Sequence, residues 1–487
     1  MSFFSFLGFI PTISSTVFKH YTEGPPKKSW DLKFHLTIAM IKGSDLFSKI
    51  PIEQAQEQFD KYNMVKTPPN ITIKDVILDE EYRQKSQTYL EKILKQYDDV
   101  FDERWKDPND KGLHGEWMYI NEKTSETDNV VLYLHGGGFY VGSSKSARSI
   151  TQKFVELTDS RVFAPNYRLS PQSQFPAALC DCIAAYVYLI NPGQNAGFES
   201  IIPKRIILAG ESAGGNLVFA TLLSLRDAGL PLPAGAIVLS PKVDLTQSMP
   251  SRWNSEIDKV DYIPSGMDFL TKLPSSPAMD EYFVNAKALA DKIALKNTTI
   301  VSHPSFTEVP RFQLYCANEA LAIPYVSPML AESLGNLPPI LCQVGGDERA
   351  RDEVILTCYK TASPHEYQLP SYATKNFEKS PFKKPTKVIL EVYDDMPHSW
   401  HVFTFSKPSQ IAVERCCDFI NRVTSIEDNN ISMINLIKEE VVSPSISVSP
   451  SFIAMRVGTD GTIRELNETD RDCLKWDKIG VVPKPEL

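Results

Sequence analysis

Ser212 lies between Gly210 and Gly214 in "LAGESAGG" (208–215), after the apolar run "RIIL" and before a stretch with helical periodicity. A Gly-x-Ser-x-Gly at a strand-to-helix junction folds so tightly that its flanking positions tolerate almost no side chain, and the serine is pushed outward. The following helix N-terminus favours negative charge beside it. Taken alone, the same residues also fit a chance glycine-flanked serine at a helix start. A second segment, "VLYLHGGGFYVGS" (131–143), runs from an apolar strand into a histidine and three consecutive glycines. Ordering glycine costs roughly 0.5–1 kcal/mol against alanine, so a triplet signals bare backbone approaching something closely. Attack of a serine on a carbonyl generates an oxyanion that needs preset amide donors, each worth about 10²–10³ in rate. The Ala213 amide, just after the serine, is one expected donor, and the "HGGG" loop is the expected source of the others.

A serine of ordinary pKa needs a base, and in this arrangement the chain order is Ser, acid, His. Three histidines follow Ser212 at a suitable depth: His365, His398 and His401. His365 falls in a polar stretch. His398 follows the run "VILEVYDD" by a short turn, at the strand edge where open α/β sheets collect their ligands. His401 is the alternative, or a packing residue at a helix start. For the acid, "ILCQVGGDERARDE" places Asp347 directly after a strand and a double glycine. Asp352 reads as a helix residue that caps or pairs, and Asp394 and Asp395 stand too near His398 in sequence to reach its far ring nitrogen.

The elements that must carry these residues follow from 129 onward. "NVVLYLH", "SRVFAPNY", "RIILAG", "AGAIVLSP", "PPILCQVGG" and "TKVILEVYDD" read as strands. "SARSITQKFVELTD", "PAALCDCIAAYVYLI", "AGGNLVFATLLSLRDAG", "ARDEVILTCYKTA" and "PSQIAVERCCDFINRV" read as the helices between them. Such alternation implies right-handed crossovers and a mostly parallel sheet covered on both faces. Residues 1–115 are expected to form an N-terminal segment and part of a helical cap, with helices within 29–65 and 80–100. Residues 116–245 form the first part of the core and 326–423 the second, interrupted by a polar loop at 361–385. Between them, 246–325 is a Pro-rich, partly helical cap insertion without a clear strand. Residues 424–487 make a Ser/Pro linker and a C-terminal extension, in which "AMRVGTDGTIREL" suggests a small hairpin.

Composition narrows the function. With 42% hydrophobic and 10% aromatic residues the 487-residue chain is globular. Its net charge of −9 argues against a nucleic-acid partner, which requires a basic face. The eight cysteines include no CxxC pair, so buried reduced thiols are expected in place of a zinc site or disulfide framework. Four Asn-x-Ser/Thr triplets, at Asn70, Asn297, Asn430 and Asn467, establish no secretory route. "SFFSFLGFIPTISSTVF" is interrupted by Pro11 and lacks a positive n-region. It suits a peripheral membrane contact through residues 2–18, or a cover over an apolar mouth, better than a spanning helix or a cleaved signal peptide. Cytoplasmic and endoplasmic-reticulum or membrane-associated locations both fit.

Together the motifs resemble the hormone-sensitive-lipase branch of the α/β-hydrolases, a group of carboxylesterases and lipases. The resemblance rests on "HGGGF" (135–139), "NYRLSPQSQFPAAL" (166–179), "GESAGGN" (210–216), "LSPKVDLTQSMPS" (239–251), "YVSPMLAESLGNLPPILCQVGGDERARDE" (325–353) and "MPHSWHVF" (396–403). These pieces run in family order over roughly 125–420. The resemblance implies an α/β-hydrolase fold, a mostly parallel sheet with helices on both faces and a helical cap. It implies Ser212 as nucleophile, Asp347 as orienting acid and His398 as base, with the amides of Gly137, Gly138 and Ala213 as oxyanion hole. His135 and Gly136 would hold the shape of that loop. No metal or organic cofactor is implied. The flanking segments are closest to fungal members, including those acting on sterol esters, and a small hydrophobic ester is the implied partner. Lys242 stands where relatives often carry tryptophan, and the 361–385 loop is long; both bear on the acyl or alcohol pocket. An acyltransferase with the same triad, and a non-catalytic ligand-binding member of the fold, are the rival readings.

Overall fold

The computed structural model describes residues 9–44, 50–61, 66–108, 110, 112–121, 129–158, 160–264, 273–296, 311–374, 379–425, 436 and 449–481. Parts of the N-terminal apolar stretch, of the 361–385 loop and of the Ser/Pro linker, and Asn297 and Asn430, lie outside them.

Among the described residues, ten strands form one sheet in the order β1-β2-β4-β3-β5-β6-β7-β8-β9-β10. The strands are β1 Ile71–Leu78, β2 Leu113–Ile120, β3 Val130–Leu134, β4 Arg161–Pro165, β5 Ile206–Glu211, β6 Gly235–Leu239, β7 Ile340–Gly345, β8 Val388–Tyr393, β9 Phe452–Val457 and β10 Ile463–Glu465. Pairing from β4 through β9 is parallel. It turns antiparallel between β1 and β2, between β2 and β4, and between β9 and β10. The six expected core strands are all present.

The middle strands are apolar along their whole length because both faces are covered. Val130, Leu132 and Leu134 point into one core while Val131 and Tyr133 point into the other, and β8 repeats this with Leu390 and Val392 against Ile389 and Tyr393. This is the two-residue period of a strand buried on both sides. The first core takes helices α4 (Glu80–Leu94), α6 (Ala177–Ile190), α7 (Ala213–Asp227) and α9 (Arg351–Ala362). The second takes α2 (Leu32–Gly43), α5 (Arg148–Thr158) and α10 (Lys407–Ser425). All eight cysteines are buried and unpaired.

The N-terminal region departs from expectation. The boundary drawn at 115/116 cuts through β2, and β1 and β2 belong to the sheet, not to a cap. Helix α1 (Ile10–Thr22) packs on α2, and Trp30 and Phe34 join the core beneath Met396, Trp400 and Phe403. Among the described residues of this region, α3 (Ile52–Lys61) is the helix that meets α8 (Pro277–Leu295), through Ile52, Ala55, Met279 and Tyr282. The hairpin expected after the linker exists as β9 and β10, but it also extends the sheet by pairing β9 with β8. No described helix is long and apolar enough to cross a membrane.

Candidate active site

Ser212 occupies the turn between β5 and α7 with φ 53° and ψ −118°, a backbone state that a non-glycine residue holds only when its surroundings enforce it. They do: the Ser212 amide donates to the Leu239 carbonyl at 2.9 Å, and its own carbonyl accepts from the amides of Asn216 and Lys242, both at 3.1 Å. Gly214 is obligatory here. A Cβ on it would stand 1.9 Å from the Leu134 carbonyl oxygen, so the turn and the end of β3 are in backbone contact.

The histidine on the loop after β8 meets this serine. His398 Nε2 lies 2.8 Å from Ser212 Oγ, and the imidazole is buried. The backbone amide of His398 donates to Asp261 at 3.1 Å, and the same carboxylate accepts from the Arg349 amide at 2.8 Å. Asp261 therefore clamps the histidine loop to the loop that follows β7. His401 faces the opposite way, 3.1 Å from the Gln343 side-chain oxygen, and burial holds it far below the ordinary histidine range. His365 is exposed.

Asp347, the acid expected from sequence, does not meet His398. Asp347 points outward, one-quarter exposed, and accepts from Lys27 Nζ at 2.6 Å. The next residue, Glu348, is fully buried, with Oε1 3.7 Å from His398 Nδ1. Its other oxygen accepts from Ser240 Oγ at 2.6 Å and from the Gly345 amide at 3.1 Å. Glu348 Oε1 and His398 Nδ1 are both buried without another partner, so the two orphaned atoms face each other. The reason is local: past the end of β7, consecutive side chains leave on opposite sides, and one more residue turns a carboxylate inward. Asp352 accepts from the Ser251 amide, Asp394 pairs with Arg456, and Asp395 accepts from Ser29. None of these meets His398.

Charge follows geometry. Burial disfavours the charged imidazole of His398, but Glu348 and Asp261 more than offset it, and the net shift is upward. Burial also raises Glu348, against the opposing pull of His398 and the Ser240 hydroxyl.

The glycine loop packs against the turn that carries the serine, with Gly136 beside Glu211 and the Leu134 and His135 carbonyls against Gly214. Gly137 has φ 110°, and a Cβ on it would meet the Val141 carbonyl oxygen at 2.0 Å. Among the described residues, the amides of Gly137, Gly138 and Ala213 donate to no acceptor. His135 stacks on Tyr167 at 4.2 Å, and the Tyr167 hydroxyl donates to the His135 carbonyl at 2.6 Å. The Gly136 amide donates to Glu211 Oε1 at 2.6 Å. Burial pushes this carboxyl up to about 7, with Tyr133 and the Gly136 amide opposing the rise. Glu348, Asp261, Ser240 and Glu211 were not singled out from sequence. Two of them flank residues that were, and that adjacency was the available signal.

The fold defines an α/β-hydrolase. A family described as having the alpha/beta hydrolase fold matches residues 131–303. An acetyl-hydrolase of Streptomyces hygroscopicus is 29% identical over 286 residues, 59% of this chain and 72% of its own. The human hormone-sensitive lipase is 30% identical over 138 residues, 28% of this chain and 12% of its own. A crystal structure of an esterase from the bacterial hormone-sensitive lipase family shares the fold with a TM-score of 0.52 at 24% identity. It covers 80% of this chain and 96% of that one. These likenesses support an α/β-hydrolase of the hormone-sensitive-lipase-like branch.

Proposed function

We propose that this carboxylic ester hydrolase works through Ser212, His398 and Glu348, by way of an acyl-enzyme. The observation that carries the proposal is the 2.8 Å contact between Ser212 Oγ and His398 Nε2 on a turn held open by backbone contacts. His398 takes the serine proton as Oγ attacks the ester carbonyl. The oxyanion is received by the unpaired amides of Gly137, Gly138 and Ala213, which need no reorganisation at the moment of reaction. His398 then protonates the leaving alcohol, and water clears the acyl group by the reverse sequence. Glu348, closing the 3.7 Å gap to Nδ1, fixes the ring tautomer and stabilises the imidazolium. Catalytic contacts are often longer before substrate binds.

The substrate is a small ester, and a largely hydrophobic one is the reading we favour. In support stand the acetyl-hydrolase, esterase and lipase names of the relatives and the apolar side chains Ile10, Phe18 and Tyr21 left exposed on α1. Ser212→Ala is expected to abolish hydrolysis of p-nitrophenyl butyrate while circular dichroism and melting temperature stay those of the parent. A fluorophosphonate probe should label the parent at Ser212 only. Turnover by the folded alanine variant would overturn the assignment.

A further inference from the structure

Resting on that esterase reading, we infer that Gln56 of helix α3 is a positioning residue for the reaction: its amide holds the backbone bend at 137–141 and, through it, aims an amide proposed to receive the oxyanion.

The Gln56 side chain bridges two loops. Its Nε2 lies 3.0 Å from the Tyr140 carbonyl oxygen, 3.1 Å from the Ser170 carbonyl oxygen and 3.0 Å from Gln172 Oε1. Gln172 Nε2 donates back to Gln56 Oε1 at 2.8 Å. Backbone carbonyls only accept, so the nitrogen end of the Gln56 amide must face them, and the bond returned by Gln172 fixes the oxygen end. The base of this side chain is secured as well. Glu53 accepts from the Ala278 amide at 2.8 Å, Asp60 pairs with Lys145 at 3.0 Å, and Ile52 and Ala55 share a buried cluster with Val141.

What Gln56 grips leads to the site in two steps. A peptide group is planar, so pinning its carbonyl also orients the amide on its other side. The Tyr140 carbonyl shares its peptide with the Val141 amide, which donates to the Gly137 carbonyl at 3.0 Å. That carbonyl shares its own peptide with the Gly138 amide, one of the proposed oxyanion donors. Two peptide planes therefore link Gln56 to the developing charge. The bend between them needs outside support. Phe139 has φ 69°, a left-handed state that a residue with a side chain keeps only when its surroundings enforce it. Its ring stacks on Tyr315 with centroids 3.9 Å apart, and its carbonyl accepts from the Ser170 amide at 2.8 Å. Gln56 closes this ring of contacts by joining the carbonyls of Tyr140 and Ser170.

The test uses Gln56→Leu, Gln56→Glu and Gln172→Leu in the full chain, with Gln54→Leu, at an exposed position of the same helix, as control. Gln56→Glu keeps the shape of the side chain, but its carboxylate cannot donate to the two carbonyls. Deuterium exchange at the Tyr140 and Val141 amides is expected to quicken about tenfold in both Gln56 variants, less in Gln172→Leu and not at all in the control. Moving a preset group by about 1 Å can cost about 10² in rate, so kcat for p-nitrophenyl butyrate should fall about ten- to hundredfold in the Gln56 variants. KM should change by less than about threefold, as expected for a contact made in the transition state. The inhibition constant of a trifluoromethyl ketone, whose serine adduct carries the oxyanion, should rise with the loss in kcat. Parental exchange in this loop would overturn the inference. So would faster exchange with parental kcat and ketone inhibition, or a loss that falls on KM as much as on kcat, which marks mere packing. If the parent hydrolyses no ester, the esterase reading fails by itself, and the exchange rates still decide whether Gln56 holds the bend.

Discussion

Asp347 and Glu348 differ by one methylene and one position, yet the first is partly exposed and paired with Lys27 and the second is sealed behind His398. That difference makes them separable by experiment. Replacing the acid of such a triad by a neutral amide costs about 10⁴ in rate, so Glu348→Gln is expected to lower kcat by at least about 10². Asp347→Asn removes a partly exposed ion pair worth about 0–1 kcal/mol, and kcat should stay near the parent value. The pH profile carries a second signature. His398 must be neutral to act as base, and its pKa is held above the usual histidine value because Glu348 and Asp261 outweigh burial. Activity therefore rises with pH through a midpoint above that of free histidine, and Glu348→Gln should move this limb to lower pH. An unchanged limb, or a larger loss in Asp347→Asn, would return the role to Asp347. Sequence reading could place the acid only at the end of β7, because both neighbours are carboxylates after the same double glycine. Choosing between them needs the direction in which the chain leaves the strand.

The glycine loop proposed to receive the oxyanion depends on an element, not on one side chain. Between β3 and the turn at Val141, the backbone bends back so that the amides of Tyr140 and Val141 both donate to the Gly137 carbonyl, at 3.1 and 3.0 Å. At φ 110° a Cβ on Gly137 would penetrate the Val141 carbonyl, so Gly137→Ala must open this bend. Loss of one preset donor costs about 10²–10³ in rate, and that drop in kcat is expected for hydrolysis of p-nitrophenyl butyrate. Fluorophosphonate labelling should slow in parallel. A variant with parental kcat would mean that the loop does not receive the oxyanion. The tight backbone bend here was readable from sequence because three glycines after an apolar strand signal bare backbone in close approach. The six core strands were readable for a similar reason: burial on both faces writes continuous apolar runs. β1 was not, since "ITIKDVIL" alternates buried ends with exposed Lys74 and Asp75 and pairs antiparallel at the edge of the sheet. A half-covered edge strand leaves a weak pattern.

At the scale of the whole molecule, the loops that carry His398 and Glu348 are braced by chain drawn from both distant ends of the sequence. From the N-terminal side, Trp30 Nε1 donates to the Asp395 carbonyl at 2.9 Å, and Lys27 bridges to Asp347. From the C-terminal side, β9 covers the edge of β8, and Arg456 on it pairs with Asp394 at 2.7 Å. A linker separates β9 from the rest of the core in sequence, so composition alone marked it as an appendage. Its pairing with β8 over Val388–Tyr393 shows it to be structural. Removing residues 426–487 would bare a long apolar strand edge, a template for aggregation, and would free Asp394 beside the histidine loop. The truncated chain is expected to melt lower or precipitate. Arg456→Met, which keeps the strand but removes the more buried of the two arginines on Asp394 and leaves Arg464, should fold, melt slightly lower and lose some kcat with little change in KM, because the disturbance falls on the placement of His398 and not on the pocket. A truncated chain with parental melting temperature and kcat would show that the sheet and its catalytic loops are complete at β8.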